Sequence, residues 1–125
     1  MSSVAQPSER RGEIRYSFYG ELPARLFDET DNHELGFVLV DISRRGLGLL
    51  VSPSPKVGTI VRLEFDEANR PPLRFRVCYL AQAIYGNIAG LEEMKRCGCV
   101  TLADTPAEFD LIEYLGQFTT VMIGD

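Results

Sequence analysis

The chain has 125 residues, 45% of them hydrophobic, with 13 basic against 18 acidic side chains and a formal net charge of −5. That is enough apolar material for one domain but not for two, and the acidic balance excludes a general DNA- or RNA-binding surface, which works by displacing counterions with a surplus of lysine and arginine. No apolar run is long enough to cross a bilayer, Met1 to Pro7 lack the apolar stretch of a signal peptide, and three cysteines argue for reduced thiols, so the expectation is a cytoplasmic protein without membrane insertion.

Taken in order, residues 1–8 read as a flexible N-terminus and 9–18 as a polar arm rich in arginine, with Arg10, Arg11 and Arg15 in the run Ser8-Glu9-Arg10-Arg11-Gly12-Glu13-Ile14-Arg15. Residues 19–95 read as short strands with turn punctuation, the signature of a barrel or sandwich. Tyr19 to Phe27 is a first strand, and residues 28–33 are a polar loop that contains the single histidine, His33, read as a surface residue. Phe37-Val38-Leu39-Val40-Asp41-Ile42-Ser43 is rich in β-formers, so alternation puts Asp41 and Ser43 on one outward face and Ile42 in the core. Gly46 permits a turn through its tolerance of positive φ, and an apolar strand follows to Val51, stopped by Ser52-Pro53-Ser54-Pro55.

In Thr59 to Phe65 the apolar Val61, Leu63 and Phe65 alternate with the polar Arg62 and Glu64. Leu73 to Tyr79 shows the same period, with Leu73, Phe75, Val77 and Tyr79 inward and Arg74, Arg76 and Cys78 outward. That basic face reads as solvated, and whether Arg74 and Arg76 reach a ligand stays open. Ile84 to Met94 is expected to be the last long strand. A helix over about 105–116 follows, with Thr105 as its cap, Pro106 in the first helical position, Glu108 completing a capping box, Phe109, Ile112 and Leu115 as its apolar stripe and Gly116 as its stop. Residues 121–125 form a tail. Residues 101–125 carry five acidic side chains and no lysine or arginine, so the rest of the chain is charge-balanced and the arm is locally basic.

Two motifs carry the functional reading. Arg11 and Arg15 make an R-x-x-x-R spacing, and Asp41-Ile42-Ser43-Arg44-Arg45-Gly46 makes D-x-S-x-x-G. Either alone is weak. Their coincidence resembles the PilZ domain, a bacterial receptor module for cyclic di-GMP, and the resemblance spans about residues 9–95. It implies an all-β fold with a C-terminal helix, a six-stranded antiparallel barrel within one domain over 9–120. It also implies a cyclic di-GMP site formed by Arg10, Arg11, Arg15, Asp41, Ser43 and Gly46, with an unidentified protein partner downstream. The residue types suit such a ligand, because a guanidinium donates in pairs to phosphate or to a guanine edge, and 11 of the 13 basic residues are arginines. In the family reading, Asp41 accepts from guanine N–H groups or holds an arginine of the arm. Ser43 bonds near the phosphate-ribose backbone. Arg44 and Arg45 are secondary candidates, set either to add phosphate contacts or to sit in solvent. Gly90-Leu91-Glu92-Glu93 departs from the Gly-Leu-Glu-Phe ending common in the family.

No enzyme is expected, since one histidine cannot furnish a nucleophile–base set and Asp41 is a poor base for Ser43 at neutral pH. Cys97-Gly98-Cys99 supplies two thiols but no four-ligand set, so no metal and no cofactor beyond the nucleotide ligand are expected. The rival reading is a PilZ-like protein-interaction adaptor that does not bind nucleotide.

Overall fold

The computed structural model describes residues 16–17, 22–82 and 94–116. Among the described residues seven strands lie in one antiparallel sheet: β1 Tyr16–Ser17, β2 Ala24–Asp28, β3 His33–Ile42, β4 Gly46–Ser52, β5 Ile60–Phe65, β6 Leu73–Gln82 and β7 Lys95–Thr101. The order is β1-β3-β2-β5-β6-β7-β4, and β4 pairs back onto β3. Six strands, β2 to β7, therefore close into a barrel, which removes the unpaired edges an open sheet would expose. β1 is added outside that ring, on the end of β3, with Tyr16 opposite Ile42 and Ser17 opposite Asp41.

Alternation fills the interior. On β5 the buried residues are Val61, Leu63 and Phe65, with Arg62 and Glu64 half-buried outside, as the sequence pattern requires. Leu26, Leu35, Phe75 and Val77 join them from β2, β3 and β6, and Leu47, Leu49 and Val51 from β4. A helix, α1 Leu111–Leu115, adds Leu111 and Leu115 to the same core. Filling so narrow a barrel with branched and aromatic side chains leaves an interior that is core, not channel.

Three expectations need correction. The last strand among the described residues is β7, Lys95–Thr101, and it forms the barrel wall between β4 and β6. Most of the expected strand Ile84 to Met94 lies outside the described residues; Met94 just precedes β7. The helix is five residues long and not twelve: its cap is Asp110, whose Oδ1 accepts from the Ile112 and Glu113 amides at 2.9 and 3.3 Å. Thr105 and Pro106 sit in turns, and the buried stripe is Leu111 and Leu115, with Phe109 and Ile112 only partly covered. Gly116 does end the helix, in an ordinary right-handed conformation. Finally, Tyr79 points outward and is 47% exposed. A register shift between Val77 and Tyr79 inserts an extra residue, so Cys78 and Tyr79 both lie outside.

Candidate functional site

A matching irregularity occurs on β3, where the register against β4 shifts between Leu39 and Asp41. Leu39 and Ile42 both face the core, three positions apart, and Asp41 is turned out between them. The two bulges flank a transverse row on the outside of the barrel. Asp41 of β3 pairs with Gly48 of β4, Gly48 with Gly98 of β7, and Gly98 with Tyr79 of β6. The two central residues have no side chain, so the outer ones lean in over them.

The closeness of that lean is clear from what a Cβ would meet. At Gly98 it would collide with the Tyr79 ring, and at Gly48 with Asp41 Oδ1, with Arg96 Nη2 only 2.9 Å away. Alanine is therefore excluded at both positions unless these side chains move. Arg96, outward on β7, donates from Nη2 to Asp41 Oδ2 at 2.8 Å. Its side chain is 26% exposed and that of Asp41 17%. Burial works against the Arg96 charge, yet Asp41 and Tyr79 more than offset it and its pKa stands above the ordinary arginine value. The Arg96 Nε–H is buried with no acceptor among the described residues.

Beside this row is a cleft of about 430 Å³, within the range of small-molecule sites. Asp41, Ser43, Gly46, Tyr79, Arg96 and Gly98 are among the residues that line it. Ser43 is fully buried at the end of the cleft, where its amide donates to the Gly46 carbonyl at 3.0 Å. The expected pair on the open face is thus an outward carboxylate and a sunken hydroxyl. Gly46 has no positive φ; among the described glycines only Gly58 does. Its requirement is steric, since a Cβ would stand 2.9 Å from the Cys99 carbonyl oxygen of the neighbouring strand.

The PilZ domain model matches residues 9–115 of the chain. The chain belongs to the PilZ family. Its domains are binding and adaptor modules rather than enzymes. No curated protein and no solved structure gives a significant match.

Of the residues singled out from the sequence of this PilZ domain, Asp41, Ser43 and Gly46 come together at the cleft. Arg10, Arg11 and Arg15 lie outside the described residues. The chain that carries them leads directly into β1, which is paired with the Asp41 end of β3. Arg44 and Arg45 are engaged elsewhere. Arg44 Nε stands 3.3 Å from Asp110 Oδ2, and Arg45 donates to the carbonyls of Pro106, Thr105 and Phe109 at 2.9, 3.2 and 3.5 Å. Arg45 still borders the cleft, but its guanidinium is spent on the C-terminal segment.

Arg74 and Arg76 lie off the cleft. Arg74 makes a two-pronged bond to Glu29 at 2.8 and 2.9 Å, and Arg76 donates to the Gly58 carbonyl at 3.3 Å. His33 is exposed beside Asp31, which raises its pKa through their hydrogen bond. Cys97 and Cys99 are buried in the core with their sulfurs 3.6 Å apart, and Cys78 is exposed at the β6 bulge. Among the described residues no helix is long and apolar enough to cross a membrane.

Sequence reasoning missed Arg96, Gly48, Gly98 and the outward turn of Tyr79. The available signal was the glycine at the centre of Cys97-Gly98-Cys99. In a strand it marks close approach by another group, here the Tyr79 ring.

Proposed function

We propose that this PilZ protein is a receptor for cyclic di-GMP, which binds in the cleft beside Asp41 and signals to a protein partner through the barrel surface. The supporting observation is the convergence of Asp41, Ser43 and Gly46 on one cleft, with β1, which follows the arginine arm in the sequence, paired to the same end of β3. In this reading Arg10, Arg11 and Arg15 close over the ligand, donating to its phosphates and guanine edges, and Asp41 accepts from guanine N–H groups. A change of conformation on binding is what the partner reads.

Titration calorimetry of the protein with cyclic di-GMP, beside GTP and cyclic GMP, tests it. Selective binding is expected, and Arg11→Ala or Arg15→Ala should each lose roughly 1.5–3 kcal/mol, the usual worth of a charge-assisted hydrogen bond. Absence of binding at high micromolar ligand would replace this reading with that of a nucleotide-independent adaptor.

A further inference from the structure

Arg96 has no part in either motif, yet it sits as a cation against Asp41 in the cleft. The pair spans two strands that are not neighbours, since β4 lies between β3 and β7, and it does so by lying over Gly48. A strand is about 4.8 Å from its neighbour, so the carboxylate and guanidinium can meet only because the intervening position lacks a side chain. The result is an anion and a cation held side by side at a cleft wall, partly exposed and with no net charge.

Such a pair is poorly suited to a phosphate, which Asp41 would repel. It suits a neutral ring that offers donors and acceptors next to one another. Guanine has that arrangement: N2–H and N1–H donate, and O6 and N7, next around the ring, accept. A carboxylate matches the donors, and an adjacent guanidinium spans O6 and N7 with two parallel N–H groups. Adenine presents an N6 donor where guanine has O6, so it would place a donor against the guanidinium. The unsatisfied Arg96 Nε–H agrees with a guanidinium whose hydrogen-bonding capacity is incompletely used.

Resting on the reading of the cleft as a cyclic di-GMP site, we propose that Asp41 and Arg96 together form its guanine-reading subsite. Arg96 is then the residue that sets the preference for guanine over adenine, contributed by the barrel and not by the arm. Asp41 keeps Arg96 oriented before the ligand arrives, and Tyr79 and the bare Gly48 fix the height at which it lies.

The test is calorimetric titration of the wild-type protein, Arg96→Gln and Arg96→Lys with cyclic di-GMP and with cyclic di-AMP, at two salt concentrations. Arg96→Gln should lose at least tenfold in affinity for cyclic di-GMP and lose a comparable factor of its preference over cyclic di-AMP, with the salt dependence unchanged. Arg96→Lys keeps the positive charge beside Asp41, and hence the fold, but a single ammonium cannot span O6 and N7. The same narrowing is expected from it. Discrimination equal to wild type in either variant would overturn the subsite, as would a loss accompanied by weaker salt dependence, which marks a phosphate contact. Wild-type protein that binds neither dinucleotide would instead overturn the cyclic di-GMP reading itself, and the subsite with it.

Discussion

Two walls of the barrel use the same residue types to opposite ends. On the β2–β5–β6 side, arginines and carboxylates alternate in regular register and neutralise one another. Arg25 bonds Glu34 at 2.9 and 3.1 Å, Arg62 meets Glu64 and Glu29, and Arg74 grips Glu29 with two prongs. Arg25 and Arg62 also lie over the Phe27 ring, with guanidinium carbons 5.3 and 5.1 Å from the ring centre. On the β3–β4–β7 side there is one described pair, Asp41 with Arg96, but two bulges and two glycines surround it. Regular pleating spreads side chains evenly and lets charges close on their neighbours. Irregular pleating gathers them over a bare floor and leaves a cleft. The cleft is thus made by backbone geometry more than by residue type.

The largest expected break in this comparison comes from the packing shared by both walls. Phe75→Ala empties a fully buried site on β6 and should cost about 3–5 kcal/mol in urea unfolding, the usual range for a core phenylalanine. Loss of less than 1 kcal/mol would mean the barrel tolerates a void at its centre. Gly48→Ala tests the bare floor directly. The added methyl group meets both members of the Asp41–Arg96 pair, so stability should fall by about 1–3 kcal/mol, in line with overpacking, and cyclic di-GMP affinity should fall with it. Unchanged binding would separate the floor from the site.

Arg45→Ala removes three bonds to carbonyls of the C-terminal segment and should cost about 1–2 kcal/mol, measured by thermal melting. A loss of ligand affinity exceeding that seen for Arg11→Ala would instead return Arg45 to the ligand contacts. The smallest effect belongs to the regular wall. The hydrogen bond from Arg74, aided by the charges of Arg74 and Arg62 and opposed by burial, holds the Glu29 pKa below the ordinary glutamate range. A depressed folded pKa adds stability above that range, and the contribution is lost as pH falls through the folded value. Glu29→Gln should therefore flatten the acid limb of the stability profile slightly and leave ligand binding unchanged. A steeper acid limb would contradict the ion pair.

The regular wall was readable and the irregular one was not. Strand β5 follows from the alternation in Val61 to Phe65, and the end of β4 from the prolines after Ser52. A bulge adds one residue without any change in composition, so period-two reasoning sent Tyr79 inward. The β7 strand was missed because Lys95-Arg96-Cys97-Gly98-Cys99 carries neither a β-branched run nor a clean alternation. Its glycine serves the Tyr79 ring and lowers strand propensity at the same time. The helix start was misplaced because two N-terminal signals compete, Thr105 with Pro106 and Glu108 against Asp110. Arg45 resolves the contest by taking the carbonyls that a longer helix would have used for its own ladder. Asp41, Ser43 and Gly46 were legible as a motif, yet Arg96 was not, since its pairing with Asp41 depends on a strand order that local sequence does not specify.

The turn between β3 and β4 faces two ways. Its Ser43 and Gly46 border the cleft, while the Arg44 carbonyl accepts the Leu111 amide at 2.8 Å and the Arg45 carbonyl accepts the Thr101 amide at 2.9 Å. The first bond ties the start of α1 to the turn, and the second ties the end of β7 to it. In native-state hydrogen exchange, these two amides can lose protection only when the turn or the segment it grips opens. The Leu111 and Thr101 amides are therefore built-in gauges of how firmly the D-x-S-x-x-G loop is seated, readable from the opposite side of the cleft wall without a label on either motif.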